Sequence, residues 1–171
     1  GLFSNTTNIN NELLALKSPS LMTQVVNDLD LTNKYVVKNG VGGLRKTALY
    51  KNSPIKVDLI DLNNVVDNIS FNINADYAKQ TVALSEFVFN KDEFETTKNG
   101  RIGDTISTPV GRVLIVSTDY FSEDIEIHYY HSKLKSVTDG YCKNLTISLA
   151  DKNSSVLNLS INDPSPARAE D

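Results

Sequence analysis

With 171 residues, 40% of them apolar, the chain is long enough to close one hydrophobic core without disulfides or a structural metal. Its 17 Lys and Arg nearly balance 21 Asp and Glu, and no stretch interleaves basic residues with aromatics, which argues against nucleic acid as a partner. No apolar run approaches the ~20 residues that cross a bilayer, and the single Cys142 excludes an internal disulfide.

Residues 9–16 place Ile9, Leu13 and Leu16 at helical spacing. Ser18-Pro19 then supplies a cap and a first position for a second amphipathic helix carrying Leu21, Met22, Val25, Val26 and Leu29. The polar faces hold Asn, Gln and Asp rather than Lys and Arg, so these helices are expected to pack on protein and not on lipid. From Lys34 the pattern changes to β-prone runs at 35–37, 55–60, 69–73 and 81–89, and it leaves the state of 44–50 open. Residues 90–107 are polar, dense in Glu and Lys around Phe94, and carry Gly100 and Gly103; they read as a loop or lid. Residues 113–117 are apolar on both faces, the pattern of a central strand covered on both sides. After a polar turn at 119–124, Ile125, Ile127 and Tyr129 alternate with Glu126, His128 and Tyr130. A helix is expected from Ser132, with Leu134, Val137 and Tyr141 on one stripe and Gly140 weakening it.

Near the C-terminus two runs alternate with period two: Leu145, Ile147 and Leu149, then Leu157, Leu159 and Ile161, joined by a polar turn. That is a hairpin pattern. Ser165-Pro166 followed by Ala167, Arg168, Ala169 and Glu170 then opens a helix that has no room to continue, so the chain reads as an excised piece. The fold class is α+β: a mixed, largely antiparallel sheet with short helices packed on it, truncated at the start of a C-terminal helix. One domain over 1–171 is expected, with a helical entry at 1–30, a β-rich region at 31–107, and core strands, helix and terminal hairpin at 108–171.

The residue types that carry chemistry are sparse. His128 and His131, the two histidines, would point to opposite faces of one strand and so would not converge on a metal unless the strand ends between them. Asp119, Glu123, Asp124 and Glu126 lack the spacing of a calcium loop, and the Gly-rich stretches at 40–43 and 100–103 match no phosphate-binding pattern. No nucleophile elbow is present. Cys142 reads as a small buried apolar residue, and the five Asn-x-Ser/Thr sequons as the chance yield of a chain rich in those residues. No catalytic, cofactor or metal site is therefore assigned.

Ordered motifs supply a positive reading. Ile9-Asn-Asn-Glu-Leu-Leu-Ala-Leu-Lys-Ser18 followed by Leu21-Met-Thr-Gln-Val-Val-Asn-Asp-Leu29, the Tyr50-x-x-Ser53-Pro54 pattern, Thr108-Pro109-Val-Gly111-Arg112, and Ser155 to Asp163-x-x-Pro166-x-x-Ala169 occur in that order. Together they resemble the periplasmic domain of polysaccharide co-polymerases: Wzz-type chain-length determinants and exopolysaccharide tyrosine kinases, most closely the Bacteroidetes-type members. The resemblance implies a non-catalytic periplasmic segment of an inner-membrane protein, held by flanking membrane helices. Like subunits would form a ring that works with a polysaccharide polymerase or outer-membrane exporter to set the length or passage of capsular or exopolysaccharide. In many relatives a cytoplasmic tyrosine kinase is attached; its nucleotide motifs are absent from this sequence. The motif residues are expected to act structurally, with the Leu21 helix and the Pro166 helix start as connectors to the membrane.

A second reading is a secreted or surface carbohydrate-binding module. It requires an exposed aromatic platform, for which Tyr120, Phe121, Tyr129 and Tyr130 are the candidates, whereas the scaffold reading expects none. A third, an enzyme with a carboxylate pair, needs two acids about 5–10 Å apart across a cleft, which sequence does not show.

Overall fold

The structure is a computed structural model that describes residue 11 and residues 14–39, 45–62, 67–150 and 156–162. It divides into two compact units, one formed by the flanking stretches 1–32 and 134–171 and one by the central stretch 33–133.

In the flanking unit, helix α1 (Pro19–Asp28) follows helical residues at 14–16. Ser18 caps α1 as its sequence requires: its backbone is extended, and its Oγ accepts from the Leu21 N–H at 3.2 Å. The helix stops through chain reversal at Asp30, whose φ of 53° is left-handed. There the Asp30 N–H donates to Asn27 O and the Leu31 N–H to Val26 O, the paired bonds of a Schellman motif, with an aspartate where glycine is usual. Met22 and Val26 are buried, as is Leu31 beyond the stop. The partner of α1 is α2 (Leu134–Asn144), where the Thr23 and Thr138 hydroxyls meet at 3.4 Å. Lys135 and Asp139, one turn apart, pair on its exposed side.

Helix α2 runs straight into β11 (Leu145–Leu149), which pairs with β12 (Leu157–Ile161) in the register the alternation demands: Leu145 opposite Ile161, Ile147 opposite Leu159, Leu149 opposite Leu157. Leu159 is 61% exposed, so this two-stranded sheet shows apolar surface. Cys142 lies in α2 and is half-buried, less covered than the buried apolar residue the sequence suggested.

The central unit is a two-layer β-sandwich. One layer has seven strands: β1 (Asn33–Asn39), β2 (Arg45–Leu49), β4 (Ile69–Asp76), β5 (Thr81–Phe89), β6 (Asp92–Phe94), β7 (Lys98–Arg101) and β10 (Ile125–His131). Their order is β2-β1-β10-β4-β5-β6, with β7 also on β5. The other layer is β3 (Ile55–Leu59), β9 (Gly111–Ser117) and β8 (Thr105–Thr108), in that order. Every described pairing is antiparallel, so the α+β class holds, with largely antiparallel pairing becoming fully so.

Alternation builds the core between the layers. Ile69, Phe71, Ile73 and Ala75 of β4 face inward, as do Ile127 and Tyr129 of β10 and Val113 and Ile115 of β9. The Val57 N–H donates to the Tyr35 hydroxyl at 3.0 Å, a polar tie from one layer to the other. Strand β5 keeps its phase by a bulge. Continuing period two from Val82 and Leu84 would bury Glu86 and expose Phe87. Instead the register against β4 shifts at this point, Glu86 adopts φ 54°, and Phe87 is fully buried.

Two sequence expectations fail here. Residues 90–107 contain β6, β7 and the start of β8, held by backbone pairing to β5 and β9 that their polar side chains do not advertise. Strand β9 is central in its sheet, but only one face is covered: Val113 and Ile115 are buried and Val116 is 39% exposed.

Candidate functional site

Two of the sequence motifs bracket the β3–β9 pair. At one end, Ser53 Oγ donates to Ile55 O, the Thr118 N–H donates to Pro54 O, and the Thr118 hydroxyl donates to Ser53 O. At the other, Pro109 and Val110 form a two-residue turn between Thr108 and Gly111. Thr108 Oγ1 closes that turn, accepting from the Val110 N–H and donating to Gly111 O. Gly111 has φ 104°, which L side chains rarely adopt. Arg112 then reaches Asp61 beyond β3, with its backbone N–H on Oδ2 at 2.9 Å and Nη2 on Oδ1 at 2.7 Å. These bonds, the side-chain one foremost, hold the Asp61 carboxyl down to about 2. The pair is exposed, so it orients the turn more than it stabilises the fold.

Ser18 caps α1 in the flanking unit, while Leu21 is 39% exposed. Ser155, Asp163, Pro166 and Ala169 lie outside the described residues. In the central unit the described motif residues thus act as turns and clasps, and in the flanking unit Ser18 acts as a cap.

Among the described residues, a groove of about 460 Å³ in the central unit has the size of a small-ligand site, within the usual ~300–1,000 Å³. It lies among the end of β1, the start of β10 and the β2–β3 and β9–β10 connections. Its apolar lining is Val37, Leu49, Pro54 and Ile125; its polar lining is Lys38, Asn52, Ser122, Glu123, Asp124 and Glu126. Tyr120 stands at the groove with 59% of its surface exposed. The loop that presents it is fixed: the Tyr120 and Phe121 N–H groups donate to Thr118 Oγ1 and O, and Phe121 is buried edge-on against Tyr77 at 5.3 Å. A second, more open depression of about 530 Å³ over β4, β5 and β7 has no aromatic lining.

Of the four candidate platform residues, Phe121 and Tyr129 are buried; Tyr120 and Tyr130 are exposed. Tyr130 lies on the outer face of the seven-stranded sheet against the His128 ring, at 4.5 Å. The acidic residues Glu123, Asp124 and Glu126 all reach the groove, though Asp124 accepts the Tyr77 N–H and Glu126 the Asn72 amide. In sequence these carboxylates have the pattern of a solvated turn without calcium-loop spacing, and nothing there places them at a groove. Sequence reasoning also missed Lys38 and Asn52, whose proximity to them arises from the β1–β10 crossover pairing. Among the described residues no group of three or more His, Cys, Asp or Glu is arranged to hold a metal.

The two histidines point to opposite faces, as their spacing implies. His131 is buried, with Nδ1 2.9 Å from Asn33 Oδ1. His128 is on the outer face, 4.0 Å from Glu86. Burial pushes the His128 imidazole below its usual 6.5; Glu86 and Glu126 oppose that shift, and Lys38 and Lys46 add to it. A folded-state value below the unfolded one means that unfolding takes up a proton in between. Stability is therefore expected to fall as pH drops from about 6.5 through the lowered value. Urea midpoints of the parent and of His128→Asn between about pH 8 and 5 check this: the parent should lose more than the variant over that window.

A scan of protein-family models finds no match to the chain, and a search of curated protein sequences finds none either. Among the described residues, no helix is long and apolar enough to cross a membrane.

Proposed function

We propose that the chain is a non-catalytic periplasmic assembly domain of an inner-membrane protein that regulates the chain length or export of capsular or exopolysaccharide, as the ordered motifs resemble. The structural observation that supports this best is the grouping of the two flanks. Helices α1 and α2 stand on opposite sides of a 101-residue stretch (33–133), yet they pack together in one unit. A domain strung between two membrane helices must return its chain to the side it left.

Exposed apolar residues add to the reading. Leu21 and Val25 on α1 and Leu159 on β12 offer surface for a like subunit. A head-to-tail contact between such subunits closes into a ring when its rotation allows, and the ring would organise a polymerase or exporter around the growing glycan. Any phosphoryl transfer would belong to a cytoplasmic portion of the parent protein.

The test is the full-length parent, imaged as single particles in detergent, with surface glycan sized from cells lacking it. Closed rings and an altered glycan length distribution are expected. A parent that is a secreted soluble module, with glycan length unchanged on its loss, would overturn the proposal.

A further inference from the structure

Tyr120 is an exposed aromatic ring at the edge of a groove in the central unit. We infer that the Tyr120 groove is a direct saccharide-contact site selective for neutral or amine-bearing sugar units over acidic ones. A pyranose ring has apolar C–H faces and a hydroxyl edge. Tyr120 offers an aromatic surface to the face, and Pro54 and Ile125 add apolar lining to the same groove.

The edge meets hydrogen-bonding groups of both kinds: the Asn52 amide can donate and accept, and the Glu123 carboxylate accepts. Because Phe121 and Thr118 fix the loop, Tyr120 is presented before any ligand arrives, which lowers the ordering cost of binding.

Charge sets the selectivity. Three carboxylates line the groove, on Glu123, Asp124 and Glu126, against one ammonium, on Lys38. A uronate or phosphate group would enter a net negative field, whereas a hydroxyl or ammonium would not. The same field disfavours nucleotides. Among the described residues no three carboxylates are arranged to hold a metal. The inference stands on the groove alone, so it survives or fails independently of the membrane-anchored scaffold reading.

The test titrates the 171-residue chain with three tetrasaccharides, a neutral glucan, a chitosan fragment and a galacturonan, followed by amide NMR shifts and calorimetry. Tetralysine serves as a non-sugar cation. The expected result is millimolar or tighter binding of the first two, with shifts confined to residues around Tyr120, Asn52 and Lys38, and at least about tenfold weaker binding of the galacturonan. Tyr120→Ala should weaken the neutral glucan by about tenfold or more. Glu123→Gln with Glu126→Gln should narrow the gap between neutral and acidic sugars. No shift at the groove with any saccharide, an acidic sugar bound as well as a neutral one, or tetralysine bound as tightly as chitosan and indifferent to Tyr120→Ala would each overturn it.

Discussion

Tyr129→Ala is expected to lower the unfolding free energy of the chain by about 3–5 kcal/mol, the range for removing a large aromatic side chain from a closed core. Tyr129 is fully buried, and its ring packs against Tyr35 at 5.4 Å and Phe71 at 5.1 Å. Those two rings come from β1 and β4, the neighbours of β10 on either side. One truncation therefore opens a void at the junction of three strands. Tyr129→Phe separates the ring from its hydroxyl, which donates to Asn33 Oδ1. Because His131 Nδ1 also lies 2.9 Å from that oxygen, the loss should be only about 1 kcal/mol. Urea unfolding at unchanged m-value measures both. A loss under about 1 kcal/mol for Tyr129→Ala would mean that this cluster is not the closed core.

Where local chemistry decides the outcome, the sequence was readable. Ser18-Pro19 starts α1 because a cap and a fixed φ act within one turn, and β11–β12 pairs in the register its period-two alternation requires. The failures have a common cause in long-range pairing. Lys98-Asn-Gly-Arg101 has no strand pattern of its own, yet it is a strand because β5 offers it a ladder edge and Gly100 lets Ile106 close over it, where an added Cβ would lie 2.5 Å from that side chain. Glu86 illustrates the converse. Its left-handed φ costs roughly 1–3 kcal/mol, which the burial of Phe87 offsets, and no local pattern announces that exchange. The groove was illegible for the same reason. Lys38, Asn52 and Glu123 are far apart in sequence, and they line one groove only because β10 inserts between β1 and β4.

Gly111→Val should be the second most damaging of the substitutions considered, costing about 2–3 kcal/mol, because a β-branched residue at positive φ is disfavoured both by its backbone and by its bulk. The turn leaves little freedom to escape. Pro109 fixes one torsion, Thr108 Oγ1 bonds to both Val110 and Gly111, and a Cβ at Gly111 would sit 3.4 Å from Asp61 Cβ. Strain at this point acts directly on the clasp. If the turn shifts to admit the side chain, Arg112 moves off Asp61 and the carboxyl should rise from about 2 toward 3.8. An NMR titration reads that change apart from stability. Arg112→Ala supplies the contrast: Asp61 should rise only part of the way toward 3.8, because the backbone N–H of residue 112 still donates to it, while the urea midpoint hardly moves, since the pair is exposed. Should Gly111→Val leave both the midpoint and the Asp61 titration unchanged, the glycine in this motif would not be there for its backbone, and the turn would need another account.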